Sequence, residues 1–455
     1  MDKSIWPFLT SSAALFRIPR NEALQQSRRK LSTTNTLGSR VDSQPRHFEK
    51  RNTAASIKST CNVHGNLSTT QSCVLERGPL SLSPNSGWGN PPWKIDFHAA
   101  SHALPAELDF AIVGGGFSGL SAAAHLRQSA PHKTVAVFEA DCVGAGSSGH
   151  TGGMTLAESA AGDLPGLGDV LEGFAQVQRE LEIDCDFDLP GAWELGRTTV
   201  KKESPIYWND SGTLRVVAEV PGGTCDPGKL VSGLAHAAQR LGATIFENCR
   251  VRRISDGQLV GLEVAGKRIR VGHVLIATNA ESLELSDLSG EAEPKFTLAM
   301  ATAPLTDAQL QDVGLSSGRP FYTVDMPYLW GRPLHERQVI FGSGLVHLSH
   351  WSEVHDLNIS RGEAGSLMRL LESRVRSLHP ALENIEFTNR WGGPILIADE
   401  WKPVFRHRLK STNIIVLGGY SGHGVALSVY LGRWAAEAMQ GKRKLPSWNK
   451  AGVKH

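Results

Sequence analysis

The stretch from Leu108 to Ala140 leaves this chain the least freedom. It reads "LDFAIVGGGFSGLSAAAHLRQ", then "SAPH", then "KTVAVFEA". The apolar run Phe110 to Val113 is short enough for a buried parallel strand. Gly114, Gly116 and Gly119 follow in G-x-G-x-x-G spacing, and Leu120, Ala123, Ala124 and Leu126 continue with helical periodicity. The first glycine permits a tight turn, the second lets backbone approach a pyrophosphate, and the third lets helix pack on strand. The helix start, which includes Ser118, offers unpaired N–H groups and a partial positive charge to phosphates. The second apolar run ends in Glu139, 25 residues beyond Gly114. A carboxylate there accepts both ribose hydroxyls of an adenosine and repels a 2′-phosphate. The expectation is an α/β chain with a Rossmann-like dinucleotide domain.

Two further glycine-rich stretches bear on which dinucleotide. "GAGSSGHTGGMTL" directly follows the acidic strand and carries Gly146, Ser147, His150, Thr151 and Gly152. Near the end, "NIIVLGGYSGHGVALSVYLGRWAAEAM" reads as a buried strand over Ile414 to Leu417. Close-approach glycines at Gly419, Gly422 and Gly424 follow, then a helix from Val425. NAD enzymes of this type need neither stretch, so the pair favours FAD. "DPGKLVSGLAHAAQRLGATIFENCRV" reads as an amphipathic helix stopped at Gly242 and a strand carrying Val251. "VLIATNA" reads as another buried strand with a turn at Ala277–Thr278.

Composition narrows the partners. A net charge of only +2 sets up no field for nucleic acid. The six cysteines form no Cys-x-x-Cys, so free thiols are expected and no metal site. No run of 18 apolar residues exists, so no membrane span is expected. Residues 1–60 hold eleven Lys/Arg against four Asp/Glu with many Ser and Thr. That composition fits an organelle transit peptide, mitochondrial or plastid, and equally a disordered tail with no address.

These motifs resemble the FAD-dependent oxidoreductases of the D-amino-acid oxidase type, the group of glycine oxidase, sarcosine oxidase and dimethylglycine dehydrogenase. The "GYSGHGVALS" segment looks most like the γ-glutamylputrescine oxidase-like members. The resemblance covers roughly residues 85–442. It implies a discontinuous FAD domain (105–160, 225–283 and 395–445) and a smaller α+β substrate domain (161–224 and 284–394). Residues 1–84 are expected as a disordered or targeting segment and 85–104 as a linker. It also implies adenine contact at the Val251 backbone and FAD contact at Ala277–Thr278, with Ser147 meeting phosphate.

The implied reaction is oxidation of the C–N bond of an amine, polyamine-derived or secondary, to an imine, with oxygen or an electron carrier as acceptor. The alternatives are an N-methyl amino acid dehydrogenase, or a flavin-binding protein without turnover. "PYLWGR" places Tyr328, Trp330 and Arg332 on one face of a strand, either as a wall over the flavin or as an edge strand with a solvated arginine. His423 is read as a structural histidine beside the cofactor or as a group that steers flavin or deprotonates substrate. Relatives that oxidise small amino acids carry Trp-x-Gly-x-Arg-Pro, whose arginine clamps a carboxylate. Here Trp391 and Gly393 match, but Ile395 stands at the arginine position. His150 has three readings by the same resemblance: a covalent flavin tether, a non-covalent contact, or a residue pointing away. Oligomeric state is open.

Overall fold

The computed structural model describes residues 86–198, 203–281, 283–348 and 351–449. The targeting or disordered segment expected over 1–84 lies outside them.

The nucleotide unit forms as its sequence requires. Strand Glu107–Val113 pairs in parallel with Val135–Phe138 on one side and Lys267–Ile276 on the other. The sheet continues to Thr244–Phe246 at one end and to Ile414–Gly418 and Val404–His407 at the other. Both faces are buried, which explains the unbroken apolar strands: Phe110 and Ile112 enter one hydrophobic cluster, Ala111 and Val113 another. Helices Phe117–Ser129, Pro227–Arg240 and Val425–Met439 cover the first face. Helix Pro227–Arg240 is capped by Asp226, whose side chain accepts from the Lys229 N–H, and Gly242 follows its end at φ +97°. In register, Val113 stands beside both Phe138 and Ile276, and Ile276 beside Val416. The carboxyl ends of four strands therefore open at one edge, where open α/β sheets bind ligands.

The second sheet has eight strands. Its order is Phe387–Ala398, Ala292–Thr302, Val339–His347, Trp330–Pro333, Phe321–Thr323, Ala192–Arg197, Thr213–Val220 and Trp208–Asn209. Helix Gly362–Leu378 buries Met368, Leu371 and Val375 in a common core with Phe296, Phe321 and Phe341. A two-stranded ribbon, Met154–Leu156 with Gly222–Thr224, completes the described sheets.

Three boundaries differ from expectation. Strand Phe387–Ala398 runs through the division placed after 394, because its pairing with Ala292–Thr302 continues to Ala398. Helix Val170–Leu181, assigned to the substrate piece, packs in the nucleotide-domain core through Val170, Phe174 and Val177. Residues 86–104 are no free linker. Trp88 is fully buried and donates to the Val354 carbonyl (2.8 Å), and Trp93 donates to the Gly149 carbonyl (2.8 Å). Two indoles outweigh the Pro, Gly and Ser around them, since burying each is worth several kcal/mol, on the order of 3–5. No helix among the described residues is long and apolar enough to cross a membrane.

Candidate active site

The strand–turn–helix turn is built around Gly114, at φ +109°, and Gly119, where a Cβ would lie 2.1 Å from the Gly114 carbonyl oxygen. Any side chain at Gly119 would push the helix off the strand. Both glycines shape the turn without lining the cavity beyond it. Glu139 stands beside that turn and accepts from the N–H groups of Gly115 (2.7 Å) and Asp141 (3.0 Å). Burial pushes its carboxyl up, and those two hydrogen bonds oppose the shift.

From this turn a cavity of about 1590 Å³ runs to the second sheet. That exceeds the usual volume of a single small-ligand pocket, about 300–1,000 Å³. Gly116, Ser118, Ser147, His150, Thr151, Gly152, Ala277, Gly422, His423, Gly424 and Val425 line it, together with Tyr328 and Trp330. Three loops far apart in sequence are tied together here. Asn279 accepts from Gly419 N–H (2.9 Å) and donates to Ser147 Oγ (3.2 Å); Ser118 Oγ and Tyr420 OH share a 2.6 Å hydrogen bond. Asn279 and Tyr420 escaped notice in the sequence because nothing local distinguishes them.

Several expected residues sit elsewhere. Arg332 is neither a cavity wall nor a solvated arginine. It is buried, and its guanidinium donates to the carbonyls of Gly152 (2.6 Å) and Cys225 (2.9 Å). Strand Trp330–Pro333 is interior to the sheet, so a long side chain pointing inward must end on backbone acceptors. Ser147 Oγ donates to the Pro394 carbonyl (2.8 Å), whereas Ser148 Oγ accepts from Phe117 N–H (3.0 Å) at the nucleotide helix start. The residue beside the phosphate-type N–H groups is therefore Ser148. Glu139, Gly146, Val251, Thr278 and Gly419 are off the cavity wall, with the Val251 side chain in the core beneath the sheet.

Trp330 is held flat by the absence of side chains. A Cβ on Gly152 would lie 2.2 Å from its ring, and one on Gly342 would lie 2.1 Å from it. Tyr328 keeps its phenol proton, because burial pushes that group well above its ordinary range. Its backbone hangs on a network the sequence did not reveal. Asp210, almost fully buried, accepts from Arg374 Nε (2.9 Å) and Nη2 (2.6 Å) and also from Arg197. Arg374 in turn donates to the carbonyls of Pro327 (2.7 Å) and Tyr328 (2.8 Å).

His150 is among the residues that line the cavity. Trp88 meets its ring edge-on (centroids 5.3 Å), and Trp391 Nε1 donates to its carbonyl (3.0 Å). Its Nδ1 lies 2.9 Å from the Gly146 carbonyl, an acceptor only, so Nδ1 carries the proton and Nε2 keeps its lone pair. Burial lowers its basicity, with the Gly146 contact working the other way. His423 is half-buried; desolvation brings its pKa down to about 4, against a raising contribution from the Ser421 backbone. It is neutral at ordinary pH, and so weak a base is poorly matched to deprotonating an ammonium.

The residues fit a flavin dinucleotide on an independent observation. His423 Nδ1, in the Gly422–Val425 loop that lines the cavity, is a buried polar atom with no hydrogen-bond partner among the described residues. Such groups ordinarily find a hydrogen bond, and a ligand at this edge would supply one.

Comparison with known proteins agrees with that fit. The family model described as "FAD dependent oxidoreductase" (DAO) matches residues 109–438. The γ-glutamylputrescine oxidoreductase of Escherichia coli (strain K12) is 27% identical over 379 residues, covering 73% of this chain and 84% of that protein. Among solved structures, glycine oxidase from Geobacillus kaustophilus superposes with a TM-score of 0.60 at 20% identity, over 74% of this chain and 96% of that one. L-proline dehydrogenase from P. horikoshii gives 0.58 at 18%, over 75% and 96%. At these identities the two structures speak to the fold alone.

Proposed function

The chain belongs to the DAO family of FAD-dependent oxidoreductases, which oxidise an amine C–N bond to an imine, and from that premise we propose that its substrate is a polyamine-derived or secondary amine. The observation that carries the reading is the single cavity between the glycine-rich cradle and the Tyr328–Trp330 wall, roomy enough for a flavin and a chain-like amine together.

Bound FAD supplies the hydride acceptor, and the remaining work falls to this chain's residues. The segment from Ser147 to Gly152 and the loop from Gly422 to Val425, which both line the cavity, would hold the flavin. Trp330, pinned between Gly152 and Gly342, gives the substrate a flat apolar face and keeps water from the reacting carbon. Neutral His423 offers a hydrogen bond and adds no charge to the site.

Anaerobic addition of amines to the yellow protein tests the reading. A putrescine derivative or an N-alkyl amine should bleach the flavin absorbance. Bleaching by sarcosine or dimethylglycine alone would instead support the N-methyl amino acid dehydrogenase. Failure of every amine to bleach it would leave a flavin binder.

His150 adds a separate test of how the cofactor is held. The proposal of a covalent tether rests on its neutral ring with Nε2 bearing a lone pair in the cavity. After acid precipitation, flavin fluorescence should remain with the washed wild-type pellet and vanish in His150→Ala. A colourless wild-type pellet sinks the tether and leaves a contact residue.

A further inference from the structure

The cavity continues past the flavin cradle along one face of the second sheet, and that face carries a buried cation. Lys295 is only 8% exposed, and it lines the cavity. On strand Ala292–Thr302 it stands in register with Ile395 on one side and His347 on the other, and all three line the cavity. Ile395 is the inner neighbour, since its Cδ1 lies 3.5 Å from where a Cβ on Gly422 would sit. Lys295 is therefore one strand, about 5 Å, further from the glycine loop.

An ammonium has three N–H donors. Two are taken, by Glu293 and by His347 Nδ1 (3.0 Å), and the third has no partner among the described residues. The two partners are solvent-facing, with side chains 54% and 65% exposed, whereas the lysine side chain is 10% exposed. A charge held this deep is tolerated when its donors are satisfied, and here one remains for whatever enters the cavity.

We propose that Lys295 is the anion anchor of the substrate chamber. The amine substrate carries a carboxylate that takes the free N–H of Lys295, while its oxidisable C–N bond lies toward Gly422 and Ile395. Lys295 thereby supplies from the neighbouring strand the positive charge that Ile395 does not. The inference rests on the amine-oxidation reading for its substrate, but its test does not require turnover.

Calorimetric titration of the flavin-loaded protein with butanoate and with uncharged butanamide measures the anchor directly. Wild type should bind butanoate more tightly than butanamide. Lys295→Met should weaken butanoate roughly tenfold to a hundredfold, the range for one charged hydrogen bond, and leave butanamide unchanged. Glu293→Gln, at an exposed position, should tighten butanoate by roughly threefold by removing a competing carboxylate. Equal butanoate affinity in wild type and Lys295→Met overturns the anchor. If Lys295→Met does not load flavin, unchanged butanoate binding in Glu293→Gln overturns it instead. Amines that fail to bleach the flavin while butanoate binding still follows Lys295 would fell the oxidation reading alone. Amines that bleach it while butanoate ignores Lys295 would fell the anchor alone.

Discussion

Glu139→Arg should yield a colourless protein. The carboxylate follows strand Val135–Phe138 and accepts from Gly115 and Asp141, so it holds the nucleotide turn in shape, and the family resemblance implies that it meets the ribose. Arginine has no acceptor at all, and it leaves both backbone N–H groups facing a cation. Each charged hydrogen bond to the ribose that is lost, worth about 1.5–3 kcal/mol, should weaken FAD binding by a factor of roughly 10 to 10². The ratio of flavin to protein absorbance after gel filtration reads this out, with circular dichroism to verify folding. A folded Arg variant that retains a full complement of FAD would remove Glu139 from the cofactor site.

The second large effect lies in the substrate domain. Among the described residues, Asp210→Ala removes the only carboxylate that Arg374 engages and one of two that Arg197 engages, Asp325 being the other. The arginine side chains are 13% and 11% exposed, so the charges left behind are largely cut off from water. Breaking one partner out of a buried ion network typically costs about 3–5 kcal/mol. For a chain of this size that lowers Tm by roughly 5 °C. The backbone of Pro327 and Tyr328 loses its support at the same time, so KM should rise even at temperatures where the variant stays folded. A Tm within about 2 °C of wild type would mean the network is not what holds that wall.

The nucleotide half was legible because its signals are local. Gly114, Gly116 and Gly119 act through the turn they themselves form, and Glu139 lies at a spacing set by one strand–helix–strand unit. The apolar runs at Phe110–Val113 and Ile414–Leu417 could be nothing but buried strands, and they are. The substrate half was less legible because its residues acquire meaning from pairing partners. Period two correctly put Trp330 and Arg332 on one face, but Tyr328 lies outside the strand, which begins at Trp330, and the pattern could not say that the face lay against Gly152 and Cys225 rather than open space. Lys295 and Asp210 look like ordinary surface charges until the register with Ile395, or the approach of Arg374, is known. Trp88 was hidden by its neighbours: a run rich in Ser, Gly and Pro reads as a connector, and its role depends on Val354 and His150 far downstream.

The closure of the cavity by the C-terminal loop sets an order on the protein's birth. Ser118 meets Tyr420 across 302 residues of chain, and Ser121 donates to the Val429 carbonyl across 308. Trp93, among the earliest of the described residues to leave a ribosome, packs edge-on against Trp391, among the later ones. Neither sheet is finished by the time its first strands emerge, because Ile414–Gly418 completes one and Phe387–Ala398 the other. Contacts of such separation form late and slowly. The nascent chain therefore carries half a nucleotide cradle and an unpaired sheet edge through most of translation, a period in which a holding chaperone has work to do and a flavin has nowhere to lodge.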